Sequence, residues 1–110
     1  MRRGDVVLVA DRAGGDYAGK PRPAVVVQSD AFDGTASVVV CPLTTTAVDA
    51  PLLRVPVRPG PALPLAGPSW AMVEKLTAVR RARTGAAIGR LSPEEIVALD
   101  RSLMVFLGFG

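Results

Sequence analysis

The chain has 110 residues, 49% of them apolar and 21% charged, with a net charge of +3. It holds one cysteine and no histidine, which excludes an internal disulfide framework, histidine metal sites, serine triads and paired-histidine ribonuclease chemistry. The length suits one domain over residues 1–110 with one modest core, and the mild basic excess fits nucleic acid or simple solubility equally well.

Ten prolines and eleven glycines predict frequent reversals, and so short strands more than long helices. The opening MRRGDVVLVADR starts like a secretion signal. Asp5 and Asp11 bracket an apolar run too short for one, however. No segment approaches a membrane span, and the lone cysteine favours a reducing compartment. The expected location is the cytoplasm, with no membrane partner. Val6 to Ala10 reads as the first strand, and Asp11 to Lys20, with three glycines and several charges, as a loop.

GKPRPAVVVQSD follows from Gly19 to Asp30. A proline pushes the residue before it towards an extended backbone, so Pro21 and Pro23 stiffen Lys20 and Arg22. Pro23 fits the first residue of a strand. Ala24 to Gln28 is then a buried second strand rich in valine. Arg22 stands at its mouth, as a substrate contact or as an edge arginine in water. Ser29 to Gly34 turns the chain, and Ser37 to Cys41 is the third strand, expected to end at Pro42. Cys41 reads as a small buried hydrophobe.

Leu43 to Thr46 opens a loop. Leu52 to Val57 is an edge strand, because Pro56 bars a central place. Arg58 to Pro68 is a loop, and Trp70 to Val79 a fifth strand with Trp70, Met72, Leu76 and Val79 as apolar contacts. A helix over Pro93 to Leu107 carries its own start signal in Ser92-Pro93-Glu94-Glu95. Ile96, Leu99, Leu103 and Phe106 share one face, and Gly108 stops it. The predicted fold is mainly β: a small, partly open barrel of about five strands with a C-terminal α-helix.

Three sets of residues could carry chemistry: Arg22; Thr44, Thr45 and Thr46 after the third strand; and a basic stretch of Lys75, Arg80, Arg81, Arg83 and Arg90. The threonines can bond phosphate oxygens or merely polarise a turn. Glu74 is the one acid between Asp49 and Glu94, so the basic stretch is a solvated face or a phosphate-binding surface. Tyr17 and Trp70 could stack on bases, although core packing suits Trp70 better. Arginine and threonine suffice in principle to cleave RNA, which brings its own nucleophile. The 2′-hydroxyl attacks the adjacent phosphorus, and a fixed guanidinium grips two phosphoryl oxygens of the transition state. Neither metal nor cofactor is required, and the upstream product keeps a cyclic phosphate.

RGDVVLVAD, GKPRPAVVVQSD, VVVCPLTTT, WAMVEKLTAV and IGRLSPEEI, in this order and nearly end to end, resemble the MazF/PemK family of toxin endoribonucleases. The resemblance implies an SH3-like, strongly bent β-barrel, usually a homodimer. It implies metal-independent, sequence-specific cleavage of single-stranded mRNA, and neutralisation by a cognate antitoxin, expected to act through an acidic disordered tail. It places the catalytic roles on Arg22 and Thr44. Lys20, Thr45, Glu74, Arg80 and Arg81 are the accompanying substrate contacts. Two departures stand out. Some members carry an arginine two residues before the acid, where this chain has Met72, and some carry a histidine in the first loop. The alternatives are a non-enzymatic gyrase poison on the same fold, which generally lacks the arginine–threonine pair, and an inactive SH3-like binding module.

Overall fold

A computed structural model describes residues 1–10 and 21–110. The expected first loop, with Tyr17 and Lys20, lies outside the described residues. Seven strands and one helix follow in order: β1 (Asp5–Val9), β2 (Arg22–Val26), β3 (Ser37–Thr44), β4 (Arg54–Val57), β5 (Ser69–Met72), β6 (Thr77–Arg80), β7 (Thr84–Arg90) and α1 (Pro93–Leu107). Every pairing is antiparallel, in the order β4-β5-β3-β2-β1-β7, with β6 also on β3. A short 3-10 turn, Arg81–Arg83, joins β6 on one flank to β7 on the other. The sheet therefore curls back on itself. No pairing joins β6 to β7 among the described residues, so the SH3-like barrel is bent without a closed ring of hydrogen bonds.

The valine runs have a simple cause. β1, β2 and β3 are buried on both faces, which calls for near-continuous apolar sequence instead of alternation. Val6, Val25, Cys41 and Leu43 face one cluster, with Val55, Val57, Ala71, Val73, Leu99 and Leu103. Val7, Ala24, Val26, Val38 and Val40 face a second cluster on the other side. Helix α1 covers the first cluster. It begins at a reciprocal capping box, in which the Ser92 hydroxyl accepts from the Glu95 N–H at 3.1 Å and Glu95 accepts from the Ser92 N–H at 2.9 Å. It ends at Gly108, whose φ of 84° only glycine adopts cheaply. Phe106, expected on the buried face, is 44% exposed.

Three strand expectations need correction. β3 runs through Pro42 to Thr44. Along its outer edge β5 pairs only at Leu43 and Thr44, and β6 only from Val40 back to Ser37. Pro42 sits in the gap between them, where a missing N–H costs little. The expected fifth strand is two strands, because the 3-10 turn Val73–Lys75 interrupts it opposite that gap. β7 was not expected at all. It pairs along β1 with register shifts, Val6 opposite Gly89, Val7 opposite Ala87 and Val9 opposite Thr84. At Gly89 a Cβ would lie 2.3 Å from the Ala62 carbonyl oxygen, so only glycine lets the 60–63 turn pack there.

Candidate active site

The β2–β3 register, extended past its last pair, sets the two leading candidates near one another. β2 pairs with β3 through Ala24 opposite Pro42, Val25 opposite Cys41 and Val26 opposite Val40. Carrying that register two residues further sets Thr44 across from Arg22, with Cα atoms about 5 Å apart for such a pair. Both point to the face away from α1, since Arg22 alternates with Ala24 and Thr44 with Pro42. The same face continues across β5 and β4. Thr44 pairs with Trp70, Trp70 with Pro56, and Met72 with Arg54.

Arg22 is exposed, and its guanidinium makes no hydrogen bond or ion pair among the described residues. Among the described residues five other arginines, Arg3, Arg54, Arg81, Arg83 and Arg90, have engaged guanidinium groups. Arg3 bonds the Val27 carbonyl at 2.8 Å and pairs with Asp100 at 2.8 Å. Arg90 bonds the Arg3 carbonyl at 2.8 Å and Asp5 at 3.1 Å. Arg81 ties the carbonyls of Phe32 and Thr35. Arg22 lines a cleft of about 330 Å³ with Pro42, Thr77, Val79 and Arg83. Arg83 donates from Nη2 to the Ala10 carbonyl at 2.8 Å, which fixes a second guanidinium in the same cleft.

Thr44 is half-buried, and its Oγ1 accepts a hydrogen bond from the Thr46 N–H at 3.1 Å. That bond orients the hydroxyl and leaves its proton available to donate. Thr45 and Thr46 are exposed in the following bend.

Glu74 is held by Arg54, which lies in the expected edge strand but was not among the expected site residues. Arg54 grips it through Nε at 3.1 Å to each carboxylate oxygen and through Nη2 at 2.5 Å. These bonds keep the Glu74 carboxyl below the usual glutamate range and raise Arg54 in turn. A carboxylate so held is a weak proton acceptor and a firm negative anchor. Arg54 stands opposite Met72 on the neighbouring strand. The signal was present in the sequence as a charged residue between Leu53 and Val55 in an alternating strand. Cys41 is fully buried, and burial followed by the charge of Glu74 pushes its thiol up to about 12, so it is no nucleophile.

The basic stretch divides. Arg83 reaches the cleft beside Arg22. Arg80 is exposed and pairs with Ser37, at the far end of β3 from Thr44, up to about 23 Å away along the strand. Arg81 is bound into the 32–35 turn at that same end. The structure therefore brings Arg22 and Arg83 to one cleft, with Thr44 near by on the adjoining end of β3, leaves Thr45 in the bend that follows, sets Glu74 with Arg54 further along, and leaves Arg80 and Arg81 apart.

The family described as the PemK-like, MazF-like toxin of type II toxin-antitoxin systems matches residues 2–107. A probable endoribonuclease MazF of Mycolicibacterium smegmatis is 49% identical over 108 residues, 98% of this chain and 97% of its own length. A mycobacterial endoribonuclease in complex with its cognate antitoxin superposes with a TM-score of 0.76 at 26% identity, covering 100% of this chain and 97% of that one. The crystal structure of MazF from Deinococcus radiodurans shares the fold, with a TM-score of 0.76 at 22% identity over 98% and 96% of the two chains.

Proposed function

Because this chain belongs to the PemK-like, MazF-like toxins of type II toxin-antitoxin systems, we propose that it is an endoribonuclease that cuts single-stranded mRNA by attack of the 2′-hydroxyl on the adjacent phosphorus. The observation that supports this most is the exposed Arg22 guanidinium, without a partner among the described residues and at the end of β2 that runs towards Thr44 when the β2–β3 register is extended. Arg22 holds two phosphoryl oxygens as negative charge grows on them. Thr44 donates a hydrogen bond to the same phosphoryl group. The P–O5′ bond breaks as the 2′-oxygen bonds to phosphorus, leaving a 2′,3′-cyclic phosphate upstream and a 5′-hydroxyl downstream. The 2′-hydroxyl supplies the nucleophile and guanidinium supplies the charge, so the route proceeds without a metal. The test is cleavage of a labelled RNA in excess chelator, with both product ends identified. Products ending in cyclic phosphate and 5′-hydroxyl are expected. A 3′-hydroxyl product, or activity lost to the chelator, overturns the mechanism.

Control of the enzyme follows from the same charges. A cognate antitoxin with an acidic, disordered tail lies across the Arg22–Arg83 cleft and excludes RNA, folding as it binds. The toxin works in the cytoplasm as a single-domain homodimer. Leu52, Val105, Phe106 and Phe109, 66%, 53%, 44% and 77% exposed, offer the apolar surface for pairing. Sedimentation should show the dimer, and RNA and antitoxin titrated together should exclude each other. A ternary complex that still cuts RNA overturns occlusion, and a fully active monomer overturns the dimer.

A further inference from the structure

Two large side chains on the site face, Trp70 and Met72, belong to neither core. Trp70 was expected inside, yet it is absent from both buried clusters and only half-buried. Its neighbours Ser69 and Ala71 turn inward instead, 4% and 0% exposed. The indole is set between Thr44 and Pro56 by direct pairing, and Arg54 stands diagonal to it, one pair further along β4 and opposite Met72. Arg54 uses Nε and Nη2 on Glu74, while its Nη1 makes no hydrogen bond among the described residues. An aromatic plane therefore lies one cross-strand step from the Thr44 hydroxyl, with the Arg54 guanidinium diagonal to it on the same face.

Each part has a chemical use. Every nucleobase has a π-face, and stacking on an aromatic side chain binds single strands without regard to sequence. A guanidinium nitrogen beside that plane can discriminate, because base edges differ in where they carry acceptors. Glu74 fixes the fork, so Nη1 is aimed before RNA arrives. The exposed apolar residues of α1 lie on the opposite face of the sheet, which separates Trp70 from that surface.

We propose that Trp70 and Arg54 form a nucleobase subsite next to the cleaved bond: the flanking base stacks on the indole, and Nη1 of Arg54 donates to an acceptor on that base's edge. This rests on the reading of Thr44 as the phosphate contact in RNA cleavage.

Trp70 is the chain's one tryptophan, so its emission reports the subsite directly. Sequencing the ends of a long single-stranded RNA cut by the wild-type protein defines the preferred site. A 2′-O-methyl oligonucleotide of that sequence, which cannot be cut, is then titrated into the protein. Saturable quenching of Trp70 is expected. Trp70→Ala should bind the oligonucleotide about tenfold more weakly, a difference of about 1.4 kcal/mol, and Trp70→Phe should recover part of that loss. Arg54→Lys should change the base distribution at one fixed position beside the cut. If Trp70→Ala does not fold, wild-type quenching and Trp70→Phe still decide the matter. A protein that cuts RNA while its emission stays flat at saturation overturns the subsite and leaves the nuclease standing. So does a Trp70→Ala protein with unchanged affinity and base preference. Emission that follows protein concentration, with no further response to RNA, assigns the indole to a protein contact and overturns it too. A wild-type protein that neither cuts nor binds RNA removes the functional reading, and the subsite with it.

Discussion

Arg22→Ala separates substrate chemistry from folding. The guanidinium is exposed and bonds nothing among the described residues. Pro21 and Pro23 hold the backbone around it, not the side chain. Stability should therefore change by at most about 0.5 kcal/mol, as surface substitutions do, or about 2–4 °C in Tm for a domain of this size. Cleavage should suffer far more. Removing one preorganised donor to a developing oxyanion costs about 2.7–4 kcal/mol, which is about 100- to 1000-fold in rate. Arg22→Lys keeps a charge but not the two-pronged fork, so it should stay within about tenfold of alanine. Initial rates on a fluorophore–quencher RNA, with thermal melts on the same samples, measure both effects. A folded Arg22→Ala protein that cuts within about threefold of wild type refutes the assignment. A variant whose activity and melting fall together refutes it as well, since Arg22 would then be supporting the fold.

Thr44→Val should slow cleavage more than it weakens RNA binding, and Thr44→Ser should retain much of the rate; damage from Thr45→Val or Thr46→Val instead would move the role along the loop. The Arg54 bonds hold the Glu74 carboxyl below its unfolded value of about 4.3, so the pair stabilises the fold above that pH and loses its effect as pH falls through the lower folded value. The gap in urea midpoint between wild type and Glu74→Gln should accordingly narrow in acid, and a constant gap would show that the pair is not linked to folding. Gly89→Ala forces a Cβ against the Ala62 carbonyl and should cost about 1–3 kcal/mol; an unchanged melt would mean that the 60–63 turn moves aside freely.

Local physics made some elements plain in the sequence. The capping box at Ser92 and the helical spacing of Ile96, Leu99 and Leu103 define α1 from residues within a few turns of one another, and its bounds match expectation. The valine runs announce β1, β2 and β3 because burial on both faces demands apolar residues throughout. The arginine between two prolines is legible for the same reason, since its extended backbone is set by its neighbours alone. Other features depend on distant partners. TGAAIGR has weak strand preference, and it becomes β7 because β1 offers an edge and Gly89 lets another turn approach. In Ser69-Trp70-Ala71-Met72 the small residues point inward and the large ones outward, the reverse of the usual pattern. The first cluster packs Ala71 against a space already filled by Val55, Val57, Leu99 and Leu103, so the indole is turned out onto the site face. Composition shows which residues an element wants to bury, but only the assembled core decides how much room is left. Arg22 and Thr44 are 22 positions apart in the chain, and it is the β2–β3 register, set by burying valines on both faces, that sets them near one another.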